Sequence, residues 1–470
     1  MNTILHLGLG SFHRAHQAVY LQALIASGDS RWTLAGGNTR PDMAETIAAL
    51  AAQGGAYTLE TISPAGEHRY QRITAIRHVI PWSADLAGLI AQGANPATKI
   101  ISFTVTEAGY YLDAANQLDL ASFADLRVDL EAARAGRPGP TLYAALSAIL
   151  RARMRAGAGP VTLLNCDNLR HNGQRSRAGL LQFIGLLGDT ALLAWVEANT
   201  SSPNAMVDRI TPRPTPDVRE RVRAATGVDD PAALMGESFI QWVIEDRFIA
   251  GRPAWETVGV EMVDSVDAHE EAKIRLLNAT HSCIAWAGTL VGYRHIHEGT
   301  HDPVIRQMAF DYVTQDTIPV LDTPERPSPI DLPRYRNVVL DRFGNPAIRD
   351  TNQRVAMDGF SKIPGFVAPT IRQRLARREG IDSVAMLPAL FLAYLQRWHL
   401  GQIPYIYQDQ AMDPAAAHAI CAAVDPVAAF ASDPVLWGEL AGDTRLLQAL
   451  QRAHTRVQAF VAAHQPVASV

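Results

Sequence analysis

The sequence predicts an α/β domain built on a parallel sheet, interrupted by one β-hairpin and followed by a mostly α-helical domain. Three observations carry this. The chain opens with an apolar run that ends in a glycine turn, then passes through an amphipathic stretch into a second apolar run, which is βαβ order. Two alternating runs flank SPAGE (63–67) and break that order, as a hairpin would. From about residue 267 strand signals fade and helical periodicity takes over, as in VAMLPALFLAYLQRWHL (384–400). The boundary is placed near 265, giving domains 1–265 and 266–470.

Composition narrows the class. A chain of 470 residues, 48% hydrophobic, has room for two or three domains with ample core. Its net charge is -5, whereas nucleic-acid binders carry a basic excess, so no nucleic-acid partner is expected. Cys166, Cys283 and Cys421 lie far apart with no CxxC pair, which suits a reducing, cytoplasmic setting. MNTILHLGLGSFHRAH has no basic n-region, so no signal peptide is expected. No apolar run reaches the roughly 18 residues of a membrane span, so no membrane partner is expected.

The first element, TILHLGLGSF (3–12), ends in Gly8 and Gly10. RAHQAVYLQALIAS (14–27) follows as a helix and WTLAGGN (32–38) as a strand. GLGSFH (8–13) in this context resembles the dinucleotide fingerprint of Rossmann-type domains, with His13 where the third glycine usually stands. Such a turn lets a pyrophosphate approach the backbone at a helix start, making Gly8, Gly10, Ser11, Phe12 and His13 candidate cofactor contacts. After the second strand come Asn38, Arg40 and Asp42. An arginine suits the 2′-phosphate of NADP and an aspartate the ribose diol of NAD, and both remain open.

Two further strands are expected in TKIISFTVT (98–106) and GPVTLLNCDN (159–168), each with polar residues at its C-terminal end. Open parallel sheets bind ligands beyond those ends. Thr106, Glu107, Asn165, Asp167 and Asn168 are therefore candidate site residues, and equally candidate turn and cap residues. DTPERPSPIDLP (322–333) is a surface loop.

EEAKIRLLNATHSCIAWAG (270–288) reads as one helix, largely apolar, that carries Glu270, Lys273, Asn278 and His281. At about 100° per residue, with Lys273 at zero, Asn278 falls at about 140°, His281 at about 80° and Glu270 at about 60°. One reading is a solvated polar stripe. The other is a catalytic sector, since Leu276, Leu277, Cys283, Ile284 and Trp286 argue for burial, and a buried lysine with a lowered pKa suits a general base for an alcohol. The cysteines are too scattered for a zinc alcohol dehydrogenase, and His295, His297 and His301 read as surface or core histidines, so no metal is expected. The absence of a GxSxG elbow removes a hydrolase anchor. A non-catalytic nucleotide-binding sensor is the non-enzyme alternative.

GLGSFHRAHQ (8–17), FTVTEAGYY (103–111), LLNCDNLRHNG (163–173), SPNAMVDRITP (202–212), KIRLLNATHS (273–282) and DTNQRVAMDGFSKIP (350–364) occur in this order. Together they resemble the polyol-specific long-chain dehydrogenase (mannitol dehydrogenase) family over nearly the whole chain. ETISPAGE and LNATHSCIAWAGTL bring it nearest the D-arabinitol-oxidising branch. The resemblance implies a zinc-independent, NAD-dependent oxidation of a polyol to a ketose, D-arabinitol to D-xylulose first. D-mannitol to D-fructose and hexuronate reduction are the alternatives. It implies Lys273 as general base, Asn278 and Asn168 as an oxyanion-binding pair, and His281 as the third member of the lysine pattern. It further implies Glu270 in proton passage and Arg354 and Lys362 as substrate contacts. Several members of that family act as monomers.

Overall fold

The computed structural model describes residues 1–113 and 115–464, with the side chain of Glu107 left out. The chain divides into two compact units. The first comprises Met1–Ser63 and Glu67–Asp267, the second Ala268–Val470 together with Pro64–Gly66.

The strands of the first unit, in chain order, are β1 (Asn2–Leu7), β2 (Trp32–Gly37), β3 (Tyr57–Ile62), β4 (His68–Ile73), β5 (Ile76–Val79) and β6 (Thr98–Phe103). Then follow β7 (Val161–Asn165), β8 (Thr200–Ser201), β9 (Ala205–Asp208), β10 (Leu234–Glu237), β11 (Gln241–Glu245) and β12 (Glu261–Val263). Six of them form a parallel sheet in the order β5-β2-β1-β6-β7-β8. With the hairpin strands set aside, this is the 3-2-1-4-5-6 order of a Rossmann sheet. The predicted fold class is observed.

Alternation explains the layers. Ile4, Leu34, Ile100 and Leu164 point into one core, while Leu5, Leu7, Ile101, Phe103 and Leu163 point into a second on the opposite face. Both faces are covered, so these strands read as continuous apolar runs rather than as alternating ones. The predicted hairpin is β3–β4, antiparallel from Tyr57↔Ile73 to Ile62↔His68. It is not isolated, because β10 pairs in parallel with β3. A third sheet, β12-β11-β9, completes the unit.

The second unit is helical, as predicted. Several helices begin at an Asp-Pro pair. The side chains of Asp302, Asp413, Asp425 and Asp433 accept from backbone N–H groups of the first turn, and the following proline takes the position whose N–H has no helical partner. Asp267–Leu290 is one uninterrupted helical run in three pieces: an α-helix Asp267–Ala272, a π-helical turn Lys273–Asn278 and an α-helix Ala279–Leu290. The last piece is buried from Ala279 to Leu290 apart from His281, and Trp286 packs at a tilt against Phe391 with ring centroids 4.9 Å apart. Among the described residues no helix is long and apolar enough to cross a membrane.

Candidate active site

In the first unit the sheet reverses its winding between β1 and β6, and a cleft of about 730 Å³ opens there at the C-terminal strand ends. Gly8, Gly10, Ser11, Phe12, Asn38, Arg40, Thr106 and Asn168 all line it, together with Asp42 and Asp167. Gly8 has φ +107, and a Cβ there would meet the Thr104 carbonyl oxygen at 2.4 Å. Only glycine fits. Gly10 is different, since a Cβ would meet nothing nearer than 4.0 Å, so its backbone faces open space. The Leu9 N–H donates to Asn38 Oδ1 at 2.8 Å, which ties the turn to the end of β2.

Other predicted residues take supporting places. His13 is fully buried and absent from the cleft wall. It stacks on His6 at 3.5 Å, beneath the turn. An imidazole in the third-glycine position thus packs against His6 of β1. Asp167 is a clamp: it accepts from Val105 N–H at 2.7 Å and Thr106 N–H at 3.2 Å, and from the Tyr110 hydroxyl. This holds Thr106 at φ +67, a conformation costly for a β-branched residue. Asn165 accepts from Asp167 N–H at 2.9 Å and Tyr110 Oη at 3.0 Å. For Asn165 the cap reading prevails, and Asp167 combines both roles because it also lines the cleft. Asn168, next along, is exposed on the cleft. The Glu107 side chain lies outside what the structure describes.

Burial pulls the His6 pKa down to about 3, against a hydrogen bond to the Gly8 carbonyl that raises it, and burial lowers His13 as well. Both stay neutral in the fold, whereas the unfolded chain takes up protons below 6.5. Stability is therefore whole above that value and falls as pH drops through it. His6 alone should cost about 2 kcal/mol between pH 7.5 and 5. Urea unfolding at the two pH values checks this, and equal stabilities would contradict it.

In the second unit, Lys273 and Glu270 are buried, while Asn278 and His281 are half-buried. The sequence treats 270–288 as uniform α-helix, with Lys273 and Asn278 about 140° apart. The structure corrects that placement. A π turn closes on i+5 rather than i+4, so residues five apart sit roughly one turn above each other. Lys273 and Asn278 therefore share a side of the helix.

His281 Nε2 lies 3.1 Å from Asp350 Oδ2, and its ring stacks on Phe343 at 4.3 Å. Asp350 Oδ1 accepts from Arg354 Nε at 2.7 Å, and its other oxygen accepts from Nη2. Burial opposes the Asp350 charge, but His281 and Arg354 outweigh it and hold its pKa well below the carboxylate range. Burial lowers the pKa of His281, against the pull of Asp350. The approach of His281 Nε2 to Asp350 is an ionic contact that lacks hydrogen-bond alignment. Asp350 thus joins two predicted residues, His281 and Arg354. The sequence reading passed over it, although the Asp-x3-Arg spacing within DTNQR was a usable signal.

Arg354 also lines a second cleft, of about 860 Å³, with Gln353, Asp358, Gln408 and Gln410. Lys362 Nζ donates to the Val355 carbonyl at 2.6 Å, and burial brings its pKa down to about 8.

Comparison with known proteins covers both units. The mannitol dehydrogenase Rossmann domain matches residues 2–257 and the mannitol dehydrogenase C-terminal domain residues 265–458. D-arabinitol 4-dehydrogenase of Ralstonia nicotianae is 60% identical, over 98% of this chain and 98% of that protein. D-arabinitol 4-dehydrogenase of Klebsiella pneumoniae is 53% identical, over 98% of this chain and 99% of that protein. Among solved structures, the Pseudomonas fluorescens mannitol 2-dehydrogenase ternary complex with NAD and D-mannitol superposes with a TM-score of 0.80. It is 33% identical, covering 98% of this chain and 93% of that one. A fold, two domain matches and full-length relatives agree: the chain belongs to the mannitol dehydrogenase family.

Proposed function

We propose that the chain is an NAD-dependent, zinc-independent polyol dehydrogenase that oxidises D-arabinitol to D-xylulose. Residues 1–265 bind the dinucleotide and residues 266–470 bind the substrate. The π turn that puts Lys273 and Asn278 on one side of a helix carries the reading, because it pairs a base with a hydrogen-bond donor. The two D-arabinitol 4-dehydrogenases at 60% and 53% identity support the choice of substrate.

The first-unit cleft fits a dinucleotide. Gly8 admits the close turn, Gly10 leaves its backbone open, and Ser11 and Phe12 begin the helix that follows. The nicotinamide of bound NAD supplies the hydride acceptor. Lys273 Nζ, neutral, takes the proton of the hydroxyl whose carbon gives up the hydride, so the carbinol becomes a carbonyl. Asn278 and Asn168 donate amide hydrogens to the oxygen while it is negative. His281 orients the oxygen by a hydrogen bond. Arg354, with Nε and Nη2 held by Asp350, offers Nη1 to a distal hydroxyl, and Lys362 supports the same end. Glu270, three residues before the lysine, passes the proton onward. The buried thiols Cys166 and Cys283 support a reducing, cytoplasmic setting.

Cofactor choice follows from one arginine. Arg40 Nη2 donates to Tyr111 Oη at 2.8 Å and to Asp125 Oδ2 at 3.0 Å, and Asp42 lies on the same cleft. Its charge is compensated, which supports NAD over NADP. Asp125→Ala releases Arg40 and should raise kcat/KM with NADP relative to NAD about tenfold, the worth of one charge-assisted contact. An unchanged ratio would sink this assignment.

The function itself is tested by absorbance at 340 nm with NAD across D-arabinitol, D-mannitol, D-sorbitol, xylitol and ribitol. D-arabinitol should give the highest kcat/KM. A preference for D-mannitol would transfer the assignment to that polyol, and silence with every polyol would favour a sensor.

A further inference from the structure

The helix around Lys273 raises a physical question. Its π turn is not the default for these residues, so something must favour it. No proline lies in KIRLLN, unlike in the π turn Ile363–Val367, where Pro364 removes an N–H. Where i→i−5 bonding returns to i→i−4, the ladder leaves one carbonyl without a helical N–H. That return falls at Ala279, whose N–H reaches back to the Ile274 carbonyl.

One hydroxyl occupies this place. Tyr312, almost fully buried, ends the helix Pro303–Tyr312 and points its Oη at the Arg275 carbonyl, 3.2 Å away, and the Leu276 carbonyl, 3.3 Å away. Its third neighbour is Thr280 Oγ1 at 2.6 Å. The phenol has one proton, shared between the two carbonyls, so Thr280 donates to the phenol oxygen. The two carbonyls belong to the π turn itself, and Thr280 lies in the first turn of the α-helix after it.

We propose that Tyr312 is a positioning residue for the polyol reaction: its hydroxyl, backed by Thr280, holds the π turn that sets Lys273 and Asn278 on one side of their helix. The inference rests on the reading of those two residues as base and donor. Without the hydroxyl, the Arg275 and Leu276 carbonyls each lose a hydrogen bond, and the run regains its ladder by tightening to α. Asn278 then swings away from Lys273 toward the 140° separation of an α-helix, about a third of a turn or more.

Tyr312→Phe removes one oxygen and keeps the ring. Its kcat for D-arabinitol oxidation should fall tenfold or more, with KM for NAD unchanged. The midpoint of the rise of kcat with pH should also move, because the donor beside the base is displaced. Thr280→Val should repeat both changes in weaker form, and Thr280→Ser, which keeps the hydroxyl, should restore wild-type values. A merely structural tyrosine would lower Tm and leave the kcat and pH midpoint of the folded enzyme at wild type, and that result overturns the proposal. Should Tyr312→Phe not fold, equal kcat and pH midpoints for Thr280→Val and Thr280→Ser overturn it instead. Lys273→Ala separates the two levels. If it is inactive while Tyr312→Phe is normal, only the positioning role fails; if it keeps normal turnover, the base assignment fails.

Discussion

Lys273→Ala is expected to lower kcat for polyol oxidation by about 10²- to 10⁴-fold, the usual contribution of a positioned general base. KM for the polyol should change little, because the proton transfer it removes occurs only on the way to the transition state. The argument is local. Lys273 is buried, it starts the π turn, and Asn278 ends that turn. Lys362 is the rival to compare, since burial brings its pKa to about 8. It donates to the Val355 carbonyl and lies eight residues beyond Arg354, on the segment proposed to hold distal hydroxyls. Lys362→Met should therefore raise KM more than it lowers kcat. A Lys362→Met enzyme with the larger kcat loss would exchange the two assignments.

Asn278→Ala and Asn168→Ala form the second pair of large effects. Each should cost about 10²- to 10³-fold in kcat, equal to about 2.7–4 kcal/mol, as for a single oxyanion donor. On the proposed assignment the loss should show equally in kcat and kcat/KM, because a donor to a developing oxyanion meets a charge absent from the bound alcohol. Asn→Asp at either position should be at least as damaging, since a carboxylate repels the same oxygen. Steady-state kinetics at saturating NAD reads all of this. A variant whose only defect is a raised KM would place that asparagine in ground-state binding.

The readable parts of this chain were those governed by local rules. The glycine turn was readable because φ +107 and a 2.4 Å approach at Gly8 demand glycine in any context. The Rossmann strands were readable because burial on both faces leaves uniform apolar runs. The helical unit announced itself in its periodicity. Strands β9–β12 were missed; they are three to five residues long and pair with partners far away in sequence. The π turn could not be read, since its cause is Tyr312, which stands 36 and 37 residues beyond the carbonyls it meets. Asp350 stands inside the DTNQR segment, but its role is not legible there, because only folding brings it to His281. Arg40 was left between two cofactors until Asp125, 85 residues away, gave it a partner.

The identity of the product from D-arabinitol tests the central claim most directly. Oxidation with NAD, followed by chromatographic identification of the sugar, should yield D-xylulose in equal molar amount to NADH. D-ribulose in its place would show that a different carbon faces the base, and the absence of both ketose and NADH would contradict the account altogether.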